Sequence, residues 1–171
     1  AVRADPRIAA GPVVLAGANV WWSQGEAQLK EFARSYESPF YLNSMSRGSM
    51  DAKDKRFFVH SRSKALADAD VILNFGTPFD FRMNFGEGVE GKVVHVDTTP
   101  AGLGRHPVEV GIVANVASAL RDLHGLLRGR PQPDRSAWLA RLRAHDDRKR
   151  EEARREAEAG GSPMHALRFL R

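Results

Sequence analysis

Short apolar runs alternate with amphipathic stretches along the first 130 residues of the chain. The run at 13–16 is continuous rather than alternating, and DVILNFG at 70–76 is the clearest run of the same kind. Such runs are typical of strands that are covered on both faces of a parallel sheet. The predicted strands lie at 13–16, 39–43, 70–76, 92–97 and 108–114.

Apolar residues at helical spacing, or long charged stretches, indicate helices between and after these strands. Ser23 is a candidate N-cap for the first helix, Ser61 or Ser63 for the second, and Asn115 for the third, which Gly129 ends. The stretch 45–58 is rich in Gly, Ser and charge, which predicts a loop with at most one helical turn. The predicted helices cover 23–36, 61–69, 115–129 and 134–159.

This order of elements predicts the fold class. Strands that alternate with helices, without hairpin signals, favour an α/β fold with a doubly wound parallel sheet and helices on both faces. Right-handed crossovers place the carboxyl ends of all strands on one edge, where open α/β sheets bind ligands. The residues at these ends are Gly17, Asn43, Gly76, Asp97 and Ala114.

The organisation of the chain changes after residue 130. We expect a linker leading into the domain at 1–11, the domain itself at 12–130, and a charged helix with the start of a further linker at 131–171. The long helix has an apolar stripe only at Trp138, Leu139 and Leu142. The last stretch, GGSPMHALRFLR, carries apolar residues with no room left to bury them, so the chain is expected to belong to a larger protein.

Composition excludes several classes of function. The chain of 171 residues has no cysteine, which excludes disulfides, thiolate metal sites and a cysteine nucleophile. The net charge of +5 invites a nucleic-acid partner, but the arginines are mixed with acids and no basic run is interleaved with aromatic residues. We therefore expect no nucleic-acid partner. No apolar run approaches the roughly 20 residues of a membrane span, so a cytoplasmic location is expected.

Two segments at the predicted edge carry candidate binding residues. LAGANVWWSQG at 15–25 presents free backbone N–H groups to an anion, or is simply a tight turn. In NFGTPFDFRMNFG at 74–86, Arg82 could bind a phosphate or a carboxylate. The alternative for this segment is a surface ion pair between Asp80 and Arg82. In that case the three phenylalanines 79, 81 and 85 would pack the loop down.

A third candidate, Asp97, ends the run KVVHVD. An acid in this place either binds ribose hydroxyls or caps the turn through Thr98 and Thr99. The six histidines have no metal-ligand spacing, and neither a P-loop nor a G-x-S-x-G elbow is present. No catalytic or metal-binding residue is predicted.

Five segments in order resemble one family. They are LAGANVWWSQGEAQLKEFA, SPFYLNSMSRGSM, ADADVILNFGTPFDFRMNFGEG, KVVHVDTTPAGLGRHPVEVGIVANVASAL and GGSPMHALRFLR. Together they are similar to the central domain of thiamine-diphosphate-dependent enzymes of the acetolactate synthase, benzaldehyde lyase and oxalyl-CoA decarboxylase group. The resemblance is close over residues 8–128. It implies a six-stranded Rossmann-like sheet of the type found in sirtuins and deoxyhypusine synthase, with the sixth strand at 45–60 or 83–91.

The resemblance also implies where the chemistry lies. In such enzymes an N-terminal domain supplies the glutamate that activates thiamine, and a C-terminal domain holds magnesium and the diphosphate through G-D-G…N. This chain has no G-D-G. The resemblance therefore implies a catalytically silent central domain that spaces the two thiamine-binding domains of a carboligase or decarboxylase (a transferase or lyase) acting on 2-oxo acids. The parent enzyme is expected to be a homo-oligomer.

Family members hold FAD, ADP or nothing in this domain. Flavin-binding relatives have G-x-R-F-D-D-R in the third loop, where Pro78 and Phe81 replace an arginine and an aspartate, which weakens the FAD interpretation. A working ADP- or FAD-binding module is the alternative function. A sirtuin-like NAD-dependent enzyme is a distant alternative, since the usual four-cysteine zinc site is missing. The cofactor-binding residues that the resemblance implies are Gly17, Ser44, Met45, Gly76, Thr77, Arg82, Asp97 and Asn115.

Overall fold

The fold is seen in a computed structural model that describes residues 11–158. The strands in this part are β1 (Pro12–Ala16), β2 (Phe40–Leu42), β3 (Phe57–Phe58), β4 (Val71–Phe75), β5 (Lys92–Asp97) and β6 (Val110–Val113). The helices are α1 (Ala18–Trp22), α2 (Glu26–Ser35), α3 (Arg62–Asp68), α4 (Pro100–Leu103), α5 (Val116–Leu127) and α6 (Ser136–Glu158). Two 3₁₀ segments lie at Ser44–Ser46 and Phe81–Gly86.

All six strands form one parallel sheet in the order β3-β2-β1-β4-β5-β6. The central strand β1 pairs Val14 with Phe40 of β2 and Leu15 with Asn74 of β4. Strand order reverses between β1 and β4, which is the point where doubly wound sheets open a crevice at their carboxyl edge. The predicted fold class is confirmed, and the sixth strand is β3, inside the 45–60 stretch.

Each face of the sheet is covered by its own hydrophobic layer. Val14 and Ala16 face α1, α2 and α5, whereas Val13 and Leu15 face α3 and α6. Successive strand residues point to opposite faces, so covering both faces requires apolar residues at every position. This explains the continuous apolar runs of the sequence. Removing a side chain such as Phe32 from water stabilises the fold by roughly 1.5–3 kcal/mol.

The start of the predicted helix 23–36 is wrong. A separate short helix, α1, begins directly after the first strand, and α2 begins only after Gly25. The Ser23 hydroxyl donates to the Asn19 carbonyl at 2.7 Å, so Ser23 ends α1 and is not the N-cap of α2. The break follows from Gln24, whose φ of 54° lies in the left-handed region and interrupts the helix.

Three other helix boundaries agree with the prediction. Ser61 precedes α3, and the Asn115 side chain accepts a hydrogen bond of 3.1 Å from the Ser118 N–H at the start of α5. Gly129 adopts a φ of 75° just beyond α5, as expected for a residue that ends a helix. The predicted linker at 1–11, apart from its last residue, and the closing apolar stretch lie outside the described residues.

Candidate functional site

A pocket of about 270 Å³ opens at the carboxyl edge of the sheet. It is formed by the segments that follow β2 and β4, together with the first residue of α3. Its lining is mostly polar and includes three guanidinium groups and one carboxylate. The lining residues are Asn43, Ser44, Arg47, Arg62, Thr77, Pro78, Asp80, Arg82 and Met83.

Buried hydrogen bonds fix the segment that follows β2. The Ser46 hydroxyl donates to the Ala16 carbonyl at 2.6 Å, and the Asn43 N–H donates to the Ser46 hydroxyl oxygen at 3.0 Å. Ser44 is held between them with a φ of 53°. These bonds tie the segment to the end of β1, so the Ser44 hydroxyl is presented to the pocket from a rigid turn.

The segment after β4 is organised by an ion pair between Asp80 and Arg82. The Asp80 carboxylate also accepts from the Arg82 backbone N–H at 3.0 Å, and hydrogen bonds from Arg82 hold the pKa of Asp80 below its usual value. The guanidinium of Arg82 reaches the Ser44 hydroxyl at 3.1 Å. Arg82 therefore bridges the two walls of the pocket while its charge is largely compensated.

The ion pair between Asp80 and Arg82 agrees with the surface-pair alternative of the sequence analysis. The packing that this alternative predicts for the three phenylalanines is wrong in part. Phe79 is buried, whereas Phe81 and Phe85 are 74% and 66% exposed. Phe85 has a φ of 51°, and the residue before it is also left-handed, so the segment turns tightly there. Only one of the three rings therefore packs this loop onto the sheet.

Two arginines that the sequence analysis did not single out complete the site. Arg62 donates to the Asn43 side-chain oxygen at 2.7 Å and to the Arg82 carbonyl at 3.0 Å. Within residues 11–158, neither Arg62 nor Arg47 has a carboxylate within 4.0 Å. Burial, and next the nearby charge of Arg47, lower the pKa of Arg62. The pocket thus has three guanidinium groups against one carboxylate, and favours an anion.

Thr77 adds an uncommitted polar atom to the wall of the pocket. Its backbone is clamped by Asn74, whose side chain accepts from the Thr77 N–H at 2.9 Å and donates to its carbonyl at 2.8 Å. The Thr77 hydroxyl is buried and has no hydrogen-bond partner among the residues that the structure describes. Buried hydroxyls of this kind are usually satisfied, so Thr77 leaves one hydrogen-bonding group unused beside the pocket.

Gly17 and Gly76 lie where β1 and β4 approach most closely. The Gly17 N–H donates to the Phe75 carbonyl at 2.8 Å, and a Cβ at Gly17 would collide with the backbone of Gly76 and Thr77. Gly76 has a φ of 68°, and a Cβ there would collide with the Asn19 side chain. Close approach of protein segments therefore accounts for both glycines, and their predicted contact with a cofactor stays a prediction.

Asp97 and Asn115 do not line this pocket. The Asp97 carboxylate is buried, accepts from the Thr99 N–H at 3.1 Å and packs against Gly102. Asn115 is engaged as the N-cap of α5. Of the eight residues implied by the resemblance, the pocket brings together Ser44, Thr77 and Arg82. Asp97 has the geometry of the turn-capping alternative, and its ribose contact stays a prediction.

The missed residues were hidden for identifiable reasons. Arg47 stands in a stretch without periodicity, and Arg62 opens a helix whose exposed positions look alike in the sequence. Arg62 reaches the same turn as Arg47 through its bond to the Asn43 side chain, a contact between distant parts of the chain. Within the described part of the chain, no group of three or more His, Cys, Asp or Glu residues is placed to hold a metal ion. No helix there is both long and apolar enough to cross a bilayer.

Comparison with known proteins identifies the class of domain. The family described as the central domain of thiamine pyrophosphate enzymes matches residues 7–123. This match covers more than half of the chain and includes all six strands. The chain belongs to this family, as the five ordered segments of the sequence indicated.

Individual relatives narrow the relationship. The chain is 34% identical over 161 residues to a probable acetolactate synthase of Mycobacterium bovis and to an acetolactate synthase large subunit of Mycobacterium tuberculosis. It is 23% identical over 163 residues to the oxalyl-CoA decarboxylase of Escherichia coli. These alignments cover 92–93% of this chain but only 28–29% of each relative, so the chain spans little more than a quarter of their length. It is a central domain related to acetolactate synthases.

Proposed function

We propose that this chain is the central domain of an acetolactate synthase-like enzyme that uses thiamine diphosphate and magnesium, bound outside this chain, to act on 2-oxo acids. The observation that carries the proposal is the 34% identity to two mycobacterial proteins named as acetolactate synthases. In this proposal the domain holds two flanking thiamine-binding domains at a fixed spacing within a cytoplasmic homo-oligomer. A sheet with an apolar layer on each face supports such a role because it resists deformation.

The experiment is to express the complete reading frame that contains this chain and to measure acetolactate formation from pyruvate. We expect activity that depends on added thiamine diphosphate and magnesium. Replacing residues 12–130 by a flexible linker should abolish it, although both flanking domains remain. A reading frame without thiamine-binding domains would overturn the proposal, and full activity of the linker variant would overturn the spacing role.

A second proposal concerns the pocket, which we infer binds the anionic group of a ligand. Arg47 and Arg62, which have no carboxylate partner among residues 11–158, support an anion such as a phosphate. The described geometry gives less support to the adenosine part of ADP or FAD, because Asp97 and Asn115 are engaged in capping turns. An anion site is therefore the part of the nucleotide-binding alternative that the residues fit.

Thermal unfolding with inorganic pyrophosphate, ADP or FAD tests this site. A ligand at 100 times its Kd adds about 2.7 kcal/mol, which raises the Tm of a chain of this length by roughly 5–10 °C. Arg47→Ala should remove the shift, whereas Arg148→Ala, which removes an exposed charge on α6, should retain it. ADP or FAD could raise the Tm while pyrophosphate does not. If Asp97→Ala then removes that rise, the result would support the ribose contact of Asp97 instead. No shift with any of the three would contradict the proposal.

A further inference from the structure

Helix α6 carries a buried carboxylate that the pocket does not use. Asp146 is fully buried, and one of its oxygens accepts from the backbone N–H groups of Val59, His60 and Ser61 at 3.1, 2.7 and 2.9 Å. The same oxygen accepts from the Ser61 hydroxyl at 3.0 Å. These donors belong to the turn between β3 and α3, 85–87 residues earlier in the chain. One side chain therefore joins α6 to the far edge of the sheet.

Three more side chains fasten the same helix within the preceding turns. The Trp138 indole N–H donates to the Pro12 carbonyl at 3.2 Å, and Leu142 is buried beside it in the layer shared with α3. The Arg143 guanidinium donates to the Phe57 carbonyl at 3.0 Å and lies 3.9 Å from the centre of the Phe58 ring. Residues 138, 142 and 146 recur every four positions and form one stripe of anchors along the helix.

Beyond Asp146 the character of the helix changes. In the described part of the chain, the side chains of residues 147–157 form hydrogen bonds and ion pairs with residues of α6, including His145 and Asp146. They form none with the sheet or with the other helices. Instead, Glu151 pairs with Arg154 and Arg155 at 2.8 and 2.9 Å along the helix. Such pairs at i,i+3 and i,i+4 support an isolated helix. The segment from 147 to 158 extends roughly 18 Å at 1.5 Å per residue.

We propose that Asp146 is a positioning residue that fixes the direction in which α6 leaves the sheet, and so makes α6 a rigid connector. This inference rests on the proposed function, in which the domain sets the spacing of its neighbours. The anchors at 138 and 142 lie toward the start of the helix, and Asp146 is the last of the three. Without it, the helix would pivot about Trp138, Leu142 and Arg143, because the ion pairs described beyond Asp146 join residues of α6 to each other.

The absence of cysteine allows a direct test with two introduced labels. Lys64→Cys on α3 and Arg155→Cys on α6 replace exposed side chains, and spin labels at these positions report the distance between sheet and helix by pulsed electron paramagnetic resonance. We expect one narrow distance in the otherwise unchanged chain. Asp146→Ala should replace the narrow distance by a broad distribution, while the helical circular dichroism signal is retained. Asp147→Ala, the matched control at an exposed neighbour, should keep it.

Further variants keep the test decisive. Asp146→Asn retains one acceptor oxygen and should restore most of the narrow distance, because the carboxylate acts through its hydrogen bonds. If Asp146→Ala does not fold, Asp146→Ser, whose short hydroxyl cannot reach all three backbone N–H groups, provides the readout, and a broadened distance supports the proposal. A narrow distance in Asp146→Ala, or a broad one in the unchanged chain, would overturn it. Neither result depends on thiamine chemistry, so the proposed function would be tested separately.

Discussion

At the scale of single residues, His95 links stability to pH. Its ring is buried in β5, and neither nitrogen has a hydrogen-bond partner among the described residues. Burial lowers the pKa of His95, while the Asp97 carboxylate 3.7 Å away opposes this shift only in part. The unfolded chain, with a histidine pKa near the ordinary value of about 6.5, therefore binds the proton more readily than the folded chain.

We predict that the free energy of unfolding falls as the pH drops below about 6.5. Chemical denaturation at several pH values between 5 and 8 measures this dependence. His95→Gln should flatten it in this range because the buried group no longer titrates. His60→Gln, at an exposed position, should leave the pH dependence as it is. Equal slopes for the His95 variant and the unchanged chain would contradict the prediction.

The close contact between Gly17 and Gly76, directly after the paired strands β1 and β4, gives a second residue-scale prediction. A methyl group at Gly17 would collide with backbone atoms, which cannot rotate away, so Gly17→Ala should destabilise the fold by about 1–3 kcal/mol or more. Gly125→Ala is the control: its Cβ meets open space inside α5, where alanine should stabilise the helix by about 0.5–1 kcal/mol. Opposite changes in the midpoint of urea unfolding are expected. A stabilising effect of Gly17→Ala would show that Gly17 does not lie as close to the backbone of Gly76 and Thr77.

At the scale of elements, the segment that follows β4 changes from buried to exposed within three residues. Phe79 is buried against His95 and His106, whereas Phe81 is largely exposed. Phe79→Ala should cost about 3–5 kcal/mol, since it leaves a cavity, and Phe81→Ala should change stability by less than about 0.5 kcal/mol. Urea unfolding of the two variants measures both. Similar losses would mean that the exposed ring also packs.

Elements defined by local sequence were predictable, and those defined by distant contacts were not. The predicted strand KVVHVD has the same bounds as β5, and Asn115 caps α5 as predicted, because these features depend on neighbouring residues. The two-residue strand β3 exists only through its pairing with β2, and nothing in its own sequence sets it apart. Likewise, Asp146 looks like any other acid of a charged helix until the turn that it binds is known.

At the scale of the whole molecule, exposed aromatic side chains gather toward the carboxyl edge of the sheet. Trp21 and Trp22 on α1 are exposed, while Trp138 on α6 is buried against the sheet. Iodide should therefore quench one part of the tryptophan fluorescence and leave a protected part. Replacing both exposed tryptophans with phenylalanine should leave only the protected fluorescence. If the remaining tryptophan were quenched as readily, α6 would not cover the sheet in solution.

The position of the pocket also shows what a single sequence conveys about a site at this scale. Topology alone placed the candidate residues at the carboxyl edge of the sheet, because parallel strands all end there. Which of them share a pocket depended on how far each turn extends: Ser44 and Arg82 meet across the edge, while Asp97 is covered by its own turn. The bond between Arg82 and Ser44 joins residues 38 positions apart, which no local pattern encodes.

The anchoring of α6 has a consequence for synthesis of the protein. Trp138 and Leu142 complete one of the two apolar layers, and Asp146 satisfies three backbone N–H groups at the turn before α3. A nascent chain that has emerged only to residue 130 would leave that layer open to water and those donors unpaired. Stable folding on the ribosome would therefore wait until residue 146 has left the exit tunnel. Before then, the face of the sheet that α6 covers would be the surface that chaperones meet.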